Sequence, residues 1–182
     1  LARAIRQLRG EIVEEAPDPS IDLRVDAYIP EFYIPDQAQR LIAYRKASAA
    51  RTLEEVEEVA GELRDRYGEL PEPVRNLLEI VRLKALARRA GVASVAREGD
   101  HLVLRFSTSP SLSERGQRLL DQALRGRAIL HPKALVIRAG GHGFPEDARW
   151  LREALETFIR VESLESHSHR DQALSYVEQR AR

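Results

Sequence analysis

Residues 52–68 read TLEEVEEVAGELRDRYG, and this stretch decides how the first half of the chain folds. Thr52 followed by Glu55 is a capping box, in which the two side chains bond the free backbone N–H groups at a helix start. Apolar residues then recur at steps of three and four, and these are Leu53, Val56, Ala60, Leu63 and Tyr67. Gly68 suits the backbone conformation that commonly ends a helix. The stretch therefore predicts an amphipathic helix that packs through one apolar face.

Carboxylates recur in the same rhythm on the opposite side of this helix. They are Glu55, Glu58, Glu62, Asp65 and Glu69. Like charges at this spacing repel one another mildly, and the helix dipole compensates only those near the helix start. Two interpretations are open: an ordinary solvated helix face, or a docking surface for an arginine-bearing partner.

Helices are also predicted on both sides of this stretch. Asp36 is a good N-cap for a helix that runs to about Ala49. Pro71 and Pro73 open a third helix, which should stop near Gly91. Ahead of them, residues 28–36 contain two prolines and three aromatic side chains, and we expect the aromatics to anchor this irregular segment on the core.

The second half of the chain alternates between strand and helix patterns. Val92–Ala96 and His101–Phe106 flank Glu98-Gly99-Asp100, a pattern that predicts a β-hairpin. A helix capped by Ser111 and Glu114 should follow, and then a strand pair around His131-Pro132. With a further strand at residues 21–25, the pattern predicts an α/β fold of the α+β type: an N-terminal helical part plus a small, mostly antiparallel sheet flanked by helices.

Three segments are expected along the chain. Residues 1–16 resemble a helix end and an acidic, proline-containing linker that follows an upstream module. Residues 17–163 form the main domain, in which Gly140–Gly143 is expected to be a flexible joint. Residues 164–182 are a polar helical tail that is expected to fray, and its His167 and His169 could hold a metal only weakly.

Composition and motifs exclude several classes of protein. The chain has 29 lysine and arginine residues and 29 aspartate and glutamate residues, so its net charge is +0. This balance disfavours a domain dedicated to binding duplex nucleic acid. The chain has no cysteine, which removes disulfides and thiolate chemistry and fits a reducing cytoplasm. No phosphate-binding loop, nucleophile elbow or closed metal site is apparent, and no apolar run could span a membrane. We therefore expect no catalytic residue, no metal and no cofactor, with an unrecognised small hydrolase as a remaining alternative.

A basic stripe on the third predicted helix offers a second functional hypothesis. Arg75, Arg82 and Arg89 are spaced by seven residues, so they could contact phosphates as an accessory nucleic-acid-binding domain. Aromatic residues are only 5% of the chain and none lies among these arginines, which argues against base stacking. The same arginines could equally be the solvated side of a helix whose other face is core.

Several motifs, taken together, identify a family. They are the run from Ile21 to Pro30, Tyr33-Ile34-Pro35-Asp36, Tyr44-Arg45-Lys46, Glu62-Leu63-Arg64-Asp65-Arg66-Tyr67-Gly68 and Leu70-Pro71-Glu72-Pro73-Val74. This first half of the chain resembles the C-terminal domain of bacterial transcription-repair coupling factors (Mfd). Leu1–Glu11 is similar to the helix that leaves the motor module of that family. From Val92 to Arg138 only the alternating pattern agrees.

The resemblance implies a regulatory role. The intact protein is expected to be a cytoplasmic DNA translocase that binds stalled RNA polymerase and recruits the repair protein UvrA, with ATP and Mg²⁺ held by its upstream motor. The C-terminal domain is expected to mask the UvrA-binding module of the same protein and so restrain it at rest. Under this hypothesis Glu62 and Asp65 pair with arginines of that module, and Glu58 and Glu69 are weaker candidates.

Overall fold

A computed structural model describes residues 18–140 and 143–180, with side chains described as far as Glu165. This part of the chain contains five helices and five strands. The helices are α1 (Gln37–Ala49), α2 (Leu53–Tyr67), α3 (Glu72–Arg89), α4 (Glu114–Ala123) and α5 (Phe144–Arg180). The strands are β1 (Ser20–Asp22), β2 (Val92–Glu98), β3 (His101–Phe106), β4 (Ala128–His131) and β5 (Ala134–Arg138). The predicted α+β class is confirmed.

The five strands form one sheet in the order β1-β2-β3-β5-β4. Its pairings are antiparallel except that of β1 with β2, which is parallel. Strand β1 is shorter than the predicted strand at residues 21–25, since it ends at Asp22. The predicted turns hold: Gly99 and Asp100 join β2 to β3, and Pro132 and Lys133 join β4 to β5.

The helix starts follow the predicted caps, with one correction. Asp36 accepts a hydrogen bond from the Gln39 N–H at 2.7 Å, and Thr52 and Glu55 form the complete capping box. The N-cap of α4 is Ser113 and not Ser111, because the Ser113 hydroxyl accepts the bond from the Gly116 N–H. The buried Leu112 lies just before this cap and holds the chain against the core, so the helix starts after it.

Two hydrophobic clusters share helix α3. The larger cluster lies between the sheet and α5 and contains Leu83, Leu104, Ile137, Leu151 and Phe158. The smaller cluster lies among α1, α2 and α3, and includes Val56, Leu63, Val74 and Leu78. The first half of α3 therefore supports the helical part, and its second half supports the sheet.

Only one of the aromatic side chains between Tyr28 and Tyr33 anchors on the core. Tyr33 is buried, whereas 48% of Tyr28 and 78% of Phe32 is exposed, so the prediction that all three anchor the segment was wrong. The backbone N–H groups of Tyr33 and Ile34 both bond the carbonyl of Pro30. This tight turn directs Tyr33 inward and leaves Phe32 at its tip.

A cluster of charged side chains surrounds Asp18, the first residue that the structure describes. The Asp18 carboxylate accepts a hydrogen bond from Arg51 at 2.8 Å and another from Arg88. Arg88 also donates to the backbone carbonyl of Arg51 at 3.3 Å. Because Arg51 lies just before α2 and Arg88 near the end of α3, this contact fixes the entering chain against both helices.

Some predictions fall outside the described residues. The expected linker at residues 1–16 and the centre of the expected joint, Gly141 and His142, are among them. Helix α5 is assigned as far as Arg180, but the side chains of His167 and His169 lie outside the described set. The three-segment division of the chain stays a prediction.

Candidate functional site

The acidic face of α2 is the strongest candidate site, and we use that name for Glu58, Glu62, Asp65 and Glu69. The first three occupy one side of α2, since steps of four and three residues return to the same side of a helix. Glu69 lies two residues beyond the end of the helix at Tyr67, after the cap residue Gly68. Glu58, Asp65 and Glu69 are exposed, and Glu62 is half-buried.

The structure fixes α2 firmly behind this face. Its apolar side, with Val56, Ala60 and Leu63, is buried against α1 and α3. At its far end the Tyr33 hydroxyl lies 3.0 Å from the carbonyl oxygens of both Leu63 and Gly68. Burial raises the pKa of that hydroxyl, so it stays protonated and can donate to either carbonyl. The acidic face is therefore held on a rigid element.

Glu62 is bound to cations of its own domain. The Lys46 ammonium lies 2.6 Å from its carboxylate oxygens, and Arg66 approaches at 3.2 Å. The hydrogen bond from Lys46, followed by the one from Arg66, lowers the pKa of Glu62. The side chain keeps 37% of its surface exposed, so it lies on the surface and not in the interior. A partner cation at this position would have to share Glu62 with Lys46.

The other three members of the acidic face are free of such contacts. Among the described residues, Glu58, Asp65 and Glu69 take part in no ion pair. Neighbouring carboxylates are already used within the fold: Glu55 completes the capping box, and Glu57 accepts two hydrogen bonds from Arg82. Glu55, which belonged to the predicted acidic row, is therefore a structural residue.

A shallow groove runs beside the acidic face, between α1 and α2. Its walls include Ile42, Lys46, Val59, Glu62 and Tyr67. Ile42 has 43% of its surface exposed, which adds an apolar contact next to the charges. Sequence reasoning missed Lys46 and Ile42, because they lie on a different helix and no spacing rule connects them to α2.

The three arginines of the predicted basic stripe do not present a row of available cations. Arg75 donates to the Leu70 carbonyl at 2.7 Å. Arg82 is half-buried and pairs with Glu57 at 2.6 Å and with Glu79 at 3.4 Å. Arg89 is exposed, beside a surface depression formed with Leu53 and Ile159. Two of the three are thus committed to contacts within the fold.

Metal and membrane signals are absent from the part of the chain that the structure describes. No three acidic or histidine side chains among the described residues are grouped so that they could hold a metal ion. No described helix is both long enough and apolar enough to cross a bilayer.

Comparison with known sequences identifies the family. A profile of the TRCF domain matches residues 23–116. The transcription-repair-coupling factor of Mycobacterium tuberculosis (strain CDC 1551 / Oshkosh) is 39% identical over 134 residues, which cover 72% of this chain and 11% of that protein. The protein of the same name from Bacillus subtilis (strain 168) is 33% identical over 160 residues, covering 85% of this chain and 14% of that protein. The chain therefore spans a small fraction of the length of these relatives.

A solved structure agrees with the sequence matches. The crystal structure of the C-terminal domain of a transcription-repair coupling factor superposes with a TM-score of 0.68 and 25% sequence identity. The match covers 83% of this chain and 98% of that one. On its sequence and its fold alike, the chain belongs to the transcription-repair coupling factor family and corresponds to its C-terminal domain.

Proposed function

We propose that this chain is a non-catalytic regulatory domain of a transcription-repair coupling DNA translocase. In the resting protein its acidic face docks on a cationic surface of the UvrA-binding module of the same molecule. When the upstream motor engages stalled RNA polymerase, the contact opens and UvrA can bind. The domain itself needs no cofactor, and ATP and Mg²⁺ act only in the motor.

One observation carries this proposal: Glu58 and Asp65 on one side of a rigid helix, and Glu69 just beyond its end, are exposed and without an ion pair among the described residues. Glu62, which lies between Glu58 and Asp65, is already paired with Lys46 and Arg66, so the unpaired negative charge lies on the other three carboxylates. A partner surface that bears arginines suits them, because guanidinium groups bind carboxylates with paired hydrogen bonds.

The strength of such a contact suits a switch. Partly exposed ion pairs contribute roughly 0.2–1 kcal/mol each. Several together reach the 1–3 kcal/mol or so that is typical of coupling between sites in regulated proteins. A contact of that size holds the resting state and still opens when the motor changes conformation, which an extensive apolar interface would resist.

The test uses the full-length protein with Glu58→Arg and Asp65→Arg combined. These two residues lose no described ion pair within the domain, so the fold should persist. We expect UvrA binding without polymerase to rise by about fivefold or more, in line with a coupling energy above about 1 kcal/mol. Surface-immobilised UvrA and a dilution series of the translocase give the affinity.

The matched control is Asp121→Arg, which reverses an exposed carboxylate on α4, outside the acidic face. It should leave UvrA affinity unchanged. If the double variant binds UvrA no better than this control, and its ATP hydrolysis at rest is also unchanged, the acidic face does not mask the UvrA-binding module.

The alternative, an accessory nucleic-acid-binding domain that uses Arg75, Arg82 and Arg89, stays a prediction. The intramolecular contacts of Arg75 and Arg82 weigh against it. A gel-shift titration of this chain separates the two hypotheses, because binding to phosphates through these arginines must weaken steeply as salt is raised.

A further inference from the structure

A second surface, on the sheet and away from α2, has the features of a ligand site. A cleft of about 570 Å³ lies at the end of the sheet where β4 and β5 meet the turn after α4. That size is typical of specific binding pockets. Its walls carry three basic side chains, His101, Arg127 and Arg138, and two apolar ones, Ile129 and Val136. No carboxylate is among the described residues that line it.

The pairing of the strands brings these residues together. His101 on β3 lies directly opposite Arg138 on β5, and Val136 lies opposite Ile129 on β4. Alternate residues of a strand face the same side of a sheet, so all four lie on one face. It is opposite the face that buries Leu102, Leu135 and Ile137 in the core.

Arg127 is held in place before any ligand arrives. Its guanidinium stacks on the Trp150 ring, 4.8 Å from the ring centre. Its backbone carbonyl accepts a hydrogen bond from the Arg138 N–H at 2.8 Å, which ties the two arginines together at the end of the sheet. A fixed cation loses less conformational entropy on binding an anion than a free surface arginine does.

Nearby acidic side chains do not neutralise the cleft. Glu98, opposite His101 in the strand register, is paired with Arg105 at 2.6 Å. Asp100 is exposed in the β2–β3 turn, where its backbone carbonyl accepts a bond from the Ala139 N–H at 3.0 Å. The two arginines therefore present positive charge to the cleft.

The edge of the sheet supplies hydrogen-bonding groups next to this charge. Among the described strands, β4 is the last of the sheet and pairs with β5 alone. Because the Arg138 N–H bonds the Arg127 carbonyl, the alternating antiparallel pattern directs the backbone groups of Ala128 and Leu130 away from β5. A strand edge that has no neighbouring strand can pair with an added strand.

We propose that this cleft and edge bind an extended peptide segment in which apolar and acidic residues take turns at every second position, so that both kinds project from the same side of the peptide. The peptide backbone pairs with β4, its apolar side chains cover Ile129 and Val136, and its carboxylates bind Arg127 and Arg138. Ile129, with 62% of its surface exposed, gives such a partner an apolar contact that a phosphate backbone could not use. Among the described residues that line the cleft there is no phenylalanine, tyrosine or tryptophan on which a nucleic-acid base could stack.

The test measures binding of a fluorescein-labelled peptide of Ser-Leu-Ser-Asp repeats, in which leucine and aspartate share one side of the strand, to this 182-residue chain by fluorescence anisotropy. Arg138→Glu should weaken binding by about tenfold or more, since it replaces a charge-assisted bond with repulsion. Ile129→Ser should weaken it severalfold. Arg45→Glu, which reverses an exposed arginine on α1, is the matched control and should change it less than about twofold.

Two altered probes test the binding mode. A peptide with asparagine in place of aspartate should bind far more weakly, and so should a peptide methylated on the backbone nitrogens that would face β4. If either binds as well as the parent peptide, the proposed carboxylate or backbone contacts are wrong. The proposal is likewise overturned if the parent peptide does not bind at about 1 mM, a concentration that detects a free energy near −4 kcal/mol.

A single-stranded oligonucleotide is the competing probe. If it binds and Arg138→Glu abolishes that binding, the cleft serves nucleic acid and the peptide proposal fails. Should Arg138→Glu not fold, amide chemical shifts of the unmodified chain decide: peptide addition must move the Ala128 and Leu130 signals. None of these outcomes depends on the acidic face, so the proposed masking of UvrA stands or falls separately.

Discussion

Gly68 has a backbone conformation that residues with a side chain rarely adopt. Its φ is 85° and its ψ is −161°, a region that is almost restricted to glycine. Its N–H bonds the Arg64 carbonyl at 2.9 Å, and so it closes α2 just before Glu69. The direction in which the chain leaves the acidic face thus depends on this one glycine.

Substitutions at two glycines test this argument. Gly68→Ala should lower the free energy of unfolding by about 1–3 kcal/mol, because alanine is strained at this φ and ψ. Gly61→Ala is the matched change within α2, where nothing lies within 4 Å of an added Cβ, and it should raise stability by roughly 0.5–1 kcal/mol. Urea unfolding followed by circular dichroism measures both. Equal effects of the two substitutions would contradict the assigned conformation of Gly68.

Sequence patterns predict local contacts at the residue scale and miss distant ones. The caps at Asp36 and Thr52 could be read directly, because a cap joins residues three positions apart. The pairing of Lys46 with Glu62 could not, because sixteen positions separate them and the contact exists only after α1 packs on α2. The choice of Ser111 over Ser113 failed for a related reason, since both serines fit the local cap pattern.

At the scale of the element, α2 is held to α3 by charge as well as by apolar packing. Arg82 on α3 donates two hydrogen bonds to Glu57 on α2, at 2.6 and 2.9 Å. It also pairs with Glu79, whose side chain is only 15% exposed and which Arg152 of α5 approaches at 2.9 Å. Arg82 therefore links the helix of the acidic face to the centre of the molecule.

Removing this arginine should loosen the contact. We expect Arg82→Ala to reduce the free energy of unfolding by about 1–3 kcal/mol, because it leaves the largely buried Glu79 with fewer partners. Arg89→Ala, on the same helix at an exposed position, should change it by less than about 0.5 kcal/mol. Chemical unfolding of both variants gives the comparison. If Arg89→Ala lowers the free energy of unfolding as much as Arg82→Ala does, the ion pairs of Arg82 between α2 and α3 are not what stabilises the domain.

The elements themselves were largely predictable, because their periodicity and caps are strong. Helices α1, α2 and α3 begin and end close to the predicted residues, and the two hairpins lie where the turn residues indicated. The shortness of β1 was not predictable from its alternating pattern. Leu23 and Val25 continue that pattern and pack partly against the core, but the regular pairing with β2 ends at Asp22.

At the scale of the whole molecule, α3 joins two hydrophobic clusters into one unit. Val74, Leu78 and Val81 belong to the smaller cluster, and Leu83, Leu86 and Ala87 belong to the larger. Neither the order of the strands nor this division could be inferred from the sequence, since both depend on contacts between distant segments. The sharing of α3 implies that the two parts unfold together.

The single tryptophan of the chain, Trp150, makes this implication measurable because it lies in the larger cluster. Leu78→Ala, in the smaller cluster, should lower the free energy of unfolding by about 2–5 kcal/mol. If α3 couples the clusters, Trp150 fluorescence and circular dichroism should report the same lowered urea midpoint. Leu119→Ala, the same change at a partly exposed site on α4, should have a much smaller effect. A Trp150 transition that stays at its original midpoint would show two independent units.

The hydrogen bonds that Arg51 and Arg88 donate to Asp18 have a mechanical consequence. Tension applied to the chain ahead of Asp18 would be shared between the backbone, which enters β1 at Ser20, and these ion pairs, which lead to the start of α2 and the end of α3. A load on this segment is therefore expected to act on the helix that bears Glu58 and Asp65 as well as on the sheet.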